Sequence, residues 1–295
     1  MRRVSRSPSA AAAGSASARR SSPASPSDGT PSSAPTAWSA KARIHRTRSS
    51  RSPQPSCSTG GTDVTTELAA PYTAYYQLRD PEHVYPVEFV VRAFLGSYPH
   101  LSAAGPYAGQ RALALGFGDG RNVPLLANLG LQVHGVEISD AICARAAQRL
   151  ARLGVAADLR VGRNAAIPFD DEFFQHVVAC HSCYYVDPGS RFDDNVREIA
   201  RVMPPNGRLV FSAPIGTSYI MRGARDLGGG HMEIANDPYG IRNGAILRKF
   251  DSESEIAQAL QPWFDEFSVG SCRNDFWGID EQVWIVVCRR SSHRS

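Results

Sequence analysis

Residues 113–122 read LALGFGDGRN. An apolar run, Leu113-Ala114-Leu115, meets three glycines on alternate positions, Gly116, Gly118 and Gly120. That switch marks the end of a strand and a turn whose backbone must come close to something else. Glycine suits such a turn because it has no Cβ and takes positive φ freely. Downstream, VHGVEIS at residues 133–139 is a second apolar run, and it reaches an acid, Glu137, 17 residues after Gly120. A glycine turn after one strand and a carboxylate ending the next suit a nucleoside, with the acid accepting from both ribose hydroxyls.

Working outward, strands and helices alternate. The periodicity predicts helices over 72–78 and 87–95, the second opened by Pro86 and stopped by Gly96. A strand over 111–115 leads through the glycine turn to a helix over 122–129. A strand over 133–137 precedes a helix over 140–153, with Ser139 as N-cap and Gly154 as terminator. Further strands fall at 159–161 and 176–180, the latter reading HVVAC, a continuous apolar run suited to a strand buried on both faces. A helix over 192–202, a strand over 208–213, a helix over 252–260 and strands over 267–272 and 282–289 complete the pattern. Residues 214–249 are rich in glycine and polar side chains and resist assignment. The alternation argues for an α/β, doubly wound parallel sheet.

In such a sheet a ligand lies beyond the C-terminal ends of the strands. A dinucleotide site favours G-x-G-x-x-G and brings a helix N-terminus to a pyrophosphate. Here the spacing is G-x-G-x-G, Arg121 follows, and Asp119 inside the turn would repel that anion. A sulfonium cofactor with an amino-acid tail carries no phosphate, and its amino group is a partner for Asp119.

The residues GFGDGRN, then GVEIS, then IPFDDEFFQHVVACHSCYYVD and REIARVMPPNGRLVFSAP, resemble the class I S-adenosylmethionine-dependent methyltransferases. The resemblance spans residues 111–213, with weaker support to 289. It implies a mostly parallel, seven-stranded Rossmann-like sheet with an antiparallel last strand, and S-adenosyl-L-methionine as cofactor. By that resemblance Gly116, Gly118, Asp119 and Gly120 wrap the amino-acid end of the cofactor and Glu137 holds the ribose. Ile138 packs on the adenine, Asn164 faces it, and Ser182 lies where cofactor and acceptor meet. The sequence departs from the family pattern twice. Ala114 stands two residues before the first glycine, where an acid is common, and Gly162-Arg163-Asn164 stands where G-D-A is common. The second departure leaves the adenine amino group without its usual acceptor unless Asn164 or a backbone group takes over. Glu137→Ala is expected to weaken cofactor binding while leaving stability unchanged.

Methyl transfer from a sulfonium is an in-line displacement, so the protein mainly aligns donor and acceptor. A hydroxyl or amine acceptor also calls for a base, and His181, at the end of the fourth strand, is the candidate catalytic residue. Capping of the strand end is the alternative role for that ring. Tyr184 and Tyr185 are candidates for the acceptor pocket, and Arg248, in the 214–250 segment, for substrate contact. Cys180-His181-Ser182-Cys183 is a lone C-x-x-C, and a structural zinc would want a second pair. No metal is expected.

Charge and composition divide the 295 residues. Residues 1–60 hold ten Lys/Arg against Asp28 alone, a net charge of +9. The whole chain is +4, so residues 61–295 carry −5. Residues 1–65, rich in Ser, Ala, Pro and Arg, bury too little apolar area to offset ordering and read as a disordered tail. A solvated extension, an organelle transit peptide and an RNA-binding arm compete as its role, as does a translation start near Val64. The six cysteines are scattered, as reduced thiols in a cytoplasmic setting would be; organelle import is the alternative.

The expected organisation is therefore a tail over 1–65 and a catalytic domain over 66–295. Within the domain, 66–108 forms a helical lid and 214–250 a substrate-side insertion. The expected reaction is O- or N-methylation of a small-molecule acceptor, without nucleic acid at the folded part and without a membrane span. The alternatives are an RNA or protein methyltransferase helped by the tail, and a catalytically silent cofactor-binding protein.

Overall fold

Leu113 and Leu115 pack to one side of their strand, and Ala112 and Ala114 to the other, so both faces of the sheet are covered. The computed structural model describes residues 64–79, 83–101 and 105–292. In chain order these form α1 (Val64–Gln77), α2 (Glu88–Leu95), β1 (Arg111–Leu115), α3 (Val123–Asn128), β2 (Gln132–Glu137) and α4 (Asp140–Arg152). Next come β3 (Asp158–Val161), β4 (His176–Ala179), β5 (Tyr185–Val186), α5 (Phe192–Arg201) and β6 (Arg208–Pro214). The chain ends with β7 (Arg225–Gly228), β8 (His231–Glu233), β9 (Ile246–Arg248), α6 (Glu253–Leu260), β10 (Phe264–Phe276) and β11 (Ile279–Arg290). Up to residue 63 the expected tail lies outside the described residues.

Among the described residues the main sheet has seven strands in the order β10-β11-β6-β4-β1-β2-β3. β1, β2, β3, β4 and β6 run parallel, and β11 is antiparallel to both β6 and β10. The doubly wound fold with an antiparallel last strand is thus present. Val177 and Leu209 join the face covered by α5, through Phe192, Val196 and Ile199. Val178 and Val210 join the face covered by α4, through Ile142, Ala146 and Leu150. Each such side chain, fully buried, contributes about 1.5–3 kcal/mol.

Ser139 does not cap α4 through its side chain. Its hydroxyl instead shares a hydrogen bond of 3.0 Å with Thr73 of α1. Ser139 does stand at the N-cap position, with extended backbone, and its contact with Thr73 ties α1 to the start of α4.

The segment after β6 joins β5 in a second, antiparallel sheet in the order β5-β9-β8-β7. Its strands are two to four residues long, too short to carry a periodicity. The β5–β9 pairing, Tyr185 opposite Leu247, docks the insertion onto the chain leaving β4.

Candidate functional site

Gly116, Gly118 and Gly120 all have positive φ, at 64°, 58° and 74°. Two of them also lack room for a side chain. A Cβ on Gly116 would sit 2.3 Å from the Ser182 Cβ, and one on Gly118 would sit 2.2 Å from the Tyr76 hydroxyl of α1. The turn therefore bends backbone into a cradle that α1 partly covers.

Glu137 ends β2 opposite this turn. Its Oε1 accepts the Gly118 N–H at 3.0 Å and its Oε2 the Ile138 N–H at 2.8 Å. Burial pushes its pKa up, and the two backbone donors pull it back. Each oxygen keeps a lone pair for a ligand hydroxyl. Asp119 is occupied differently: its carboxylate takes two hydrogen bonds from the Arg121 guanidinium, at 2.7 and 3.0 Å. That pair neutralises the acid expected to meet an amino group.

The loop after β3 and the loop after β4 are tied together. Asn164 Nδ2 donates to the carbonyls of Ser182 and Tyr185, at 2.9 and 3.1 Å. Arg163 pairs with Asp187. Asp187 thus brings a carboxylate against the β3 loop, paired with Arg163. Ser182 donates its hydroxyl to the Leu115 carbonyl at 2.5 Å, so its side chain holds β1 and β4 in register.

His181 has φ of 55°, the left-handed region that a side chain of this size rarely adopts. Its backbone N–H donates to Ser212 Oγ at 3.0 Å, and its Nδ1 lies 3.2 Å from the same oxygen. Ser212 is fully buried. Among the described residues, the acceptor within reach of its proton is Nδ1, so the hydroxyl donates there and the ring proton sits on Nε2. Burial, with smaller contributions from Arg242 and Arg121, lowers the His181 pKa to about 4. The ring is therefore neutral near pH 7, and in this tautomer Nε2 carries the proton.

These elements line one cavity of about 360 Å³. It begins at the glycine turn, Glu137, Ile138 and Asn164, and passes His181 to a chamber formed by Tyr184, Tyr185, Tyr219, Arg242 and Glu281. Tyr72, Tyr75 and Tyr76 of α1, with Arg79 just beyond its end, close one side, and residues 241–247 of the insertion close another. The turn, the carboxylate and the covering tyrosines fit an adenosyl ligand: glycines clear the approach, and Glu137 keeps acceptor capacity.

Arg248 lies outside that cavity. Its guanidinium stacks on Phe250 at 4.2 Å, reaches the Lys249 carbonyl and faces Glu255 at 4.0 Å. It lines a separate cleft with His231 and Phe192. Its place in the chamber belongs to Arg242, six residues earlier. Arg242 reaches the hydroxyls of Tyr185 and Tyr219, at 3.1 and 3.4 Å, and pairs with fully buried Asp237 at 3.1 Å. Sequence reading missed Glu281. It stands one residue before the expected last strand, and an antiparallel strand there begins at the ligand end of its parallel neighbours; that position was the available signal.

Among the described residues no group of three or more His, Cys, Asp or Glu is placed to hold a metal, and no helix is long and apolar enough to cross a membrane.

Residues 113–211 match the methyltransferase domain family. No curated protein matches the chain by sequence. Among solved structures, an S-adenosylmethionine-dependent methyltransferase from Methanosarcina mazei is similar at a TM-score of 0.54 and 18% identity, covering 71% of this chain and 100% of that one. A Pyrococcus horikoshii protein, PH0226, gives 0.53 and 15%, covering 74% and 99%. The cyclase SpnF gives 0.53 and 16%, covering 78% and 95%. At these identities the structural likeness speaks for the fold.

Proposed function

We propose that this chain, whose residues 113–211 match the methyltransferase domain family, is a class I S-adenosylmethionine-dependent methyltransferase whose acceptor is a small molecule held in the chamber beyond His181. The observation that carries this reading is the continuity of the cavity. One space of about 360 Å³ runs from the glycine turn to Arg242 and Glu281, roofed by α1 and by the insertion sheet. A roofed chamber suits a small molecule better than a polymer. The net charge of −5 over residues 61–295 also disfavours a polyanion.

S-adenosylmethionine supplies an already activated methyl group. Gly116, Gly118 and Gly120 would hold its amino-acid end, Glu137 its ribose, and Ile138, Asn164 and Asp187 the adenine end. The chain's own contribution is alignment, which supplies up to about 7–11 kcal/mol when reacting groups are held in line. His181 would orient the acceptor through its Nε2–H, with Ser212 fixing the tautomer. Tyr76 and the insertion would exclude water. The expected tail over 1–65 takes no part in this reading.

The experiment is incubation of the full chain with methyl-labelled S-adenosylmethionine and three separate fractions: small metabolites, RNA and protein. Label in the small-molecule fraction is the expected result. Label confined to RNA or protein would replace this reading with the polymer one.

A further inference from the structure

Most cations that line the cavity already have an anionic partner. Arg121 pairs with Asp119, Arg163 with Asp187, and Arg242 with Asp237. Asp237 is saturated: its oxygens also take the backbone N–H groups of Tyr239, Ile241 and Arg242. Arg79, at the outer end of α1, is exposed and donates to the Tyr75 hydroxyl. Glu281 is the exception among the acids. Its carboxylate lines the chamber and makes no hydrogen bond or ion pair of its own among the described residues. Glu137, the other acid without a cation, holds two backbone donors. Burial pushes the Glu281 pKa up, and Arg242 acts against that push from beyond ion-pair distance.

Tyr72, Tyr184, Tyr185 and Tyr219 line the same cavity, and Tyr184 and Tyr219 interact electrostatically with this acid. Tyr184 and Tyr185 stack at 5.0 Å, and Tyr72 meets Tyr185 edge-on at 6.0 Å. The Tyr72 hydroxyl is buried and directed toward Tyr185. Aromatic faces around an unpaired carboxylate are the chemistry that takes a cationic nitrogen out of water. A carboxylate or phosphate acceptor would meet repulsion from Glu281, and a neutral one would leave that half-buried charge without an ion pair.

We propose that the acceptor is an amine, bound as its ammonium ion against Glu281 and the tyrosine faces. This rests on the reading that the chamber takes a small-molecule acceptor. The ammonium gives one proton to the Glu281 carboxylate, which frees the nitrogen lone pair. That pair forms the new bond to the methyl carbon, and the pair of the broken methyl–sulfur bond stays on sulfur. The methylated nitrogen carries the positive charge away, and Glu281 later releases its proton to solvent.

The test uses the full chain and matched arylalkyl pairs, such as 2-phenylethylamine with 2-phenylethanol. Transfer of label is measured, and so is amine binding by calorimetry in the presence of S-adenosylhomocysteine. Amines should bind and be methylated, and their alcohol counterparts should not. Glu281→Gln should weaken amine binding at least tenfold while S-adenosylhomocysteine affinity and melting temperature stay within error of wild type. Glu281→Asp should recover part of the amine binding. Label entering alcohols or thiols while amines stay unlabelled would overturn the amine assignment and leave the small-molecule reading standing. Label entering only RNA or protein would overturn both. A third result also counts against the proposal: if Glu281→Gln weakens S-adenosylmethionine but neither its uncharged product nor the amine, Glu281 serves the sulfonium.

Discussion

Glu137 Oε1 accepts the Gly118 N–H at 3.0 Å, and Oε2 accepts the adjacent Ile138 N–H at 2.8 Å. One carboxylate thus fixes the glycine turn after β1 to the end of β2 before any ligand arrives. Glu137→Ala should therefore cost more than affinity. Each orphaned N–H costs about 1–3 kcal/mol. We expect a measurable loss in urea-unfolding stability together with at least tenfold weaker S-adenosylhomocysteine binding, which is about 1.4 kcal/mol. The sequence alone pointed to an effect on affinity without one on stability. Unchanged stability in the alanine variant would show that the two backbone bonds contribute nothing.

Gly118 faces a specific obstacle. At φ of 58° an alanine costs about 1–2 kcal/mol from backbone strain. Its Cβ would also sit 2.2 Å from the Tyr76 hydroxyl. Gly118→Ala should destabilise the fold, and adding Tyr76→Ala should recover the steric part while leaving the strain. A double-mutant cycle by denaturant titration reads the coupling directly. Strict additivity would mean that Tyr76 does not rest on the turn.

Asp237 organises the insertion. It is fully buried as a side chain and binds Arg242 together with three backbone N–H groups. Removing one partner of a buried charge pair typically costs about 3–5 kcal/mol. Asp237→Ala should therefore lower unfolding stability by an amount of that order, and Asp237→Asn by less, because an acceptor oxygen remains. A loss below about 0.5 kcal/mol would place Asp237 outside the supporting framework.

Acid should weaken the fold through two histidines. Burial lowers the pKa of both His176 and His181 from 6.5 to about 4, assisted by Arg208 at the first and by Arg242 and Arg121 at the second. His176 bonds Gln110 Oε1 through Nε2 at 2.7 Å, and its Nδ1 is buried without a hydrogen-bond partner among the described residues. Their folded pKa values lie below the unfolded ones, so their contribution is fully present above about pH 6.5. It is lost as pH falls through that value toward 4, because the unfolded chain binds the extra protons. Each group contributes a slope of up to about 1.4 kcal/mol per pH unit in that window. His176→Phe should lower the slope by one proton whatever its effect on absolute stability; an unchanged slope would remove His176 from the account.

Much of the main sheet was legible because its strands carry unambiguous signals. β1 begins and ends where the strand expected over 111–115 does, and HVVA in β4 is buried along its whole length. The insertion was not legible, because RDLG, HME and ILR are too short and mixed to show a period, and β5 is two residues. The same limit confused two arginines. Arg242 and Arg248 are both basic residues in one polar segment, and only the β5–β9 pairing brings the first to the chamber and leaves the second against Phe250 and Glu255. Glycine spacing and Glu137 were readable because both answer to backbone geometry at strand ends. The role of His181 was not, because its tautomer depends on Ser212, 31 residues away.

The most direct test of the central claim is a calorimetric titration of the full chain with S-adenosylhomocysteine. The account predicts saturable, one-to-one binding to the space between the Gly116–Gly120 turn and Glu137. A folded protein that gives no saturable heat with this ligand would contradict it.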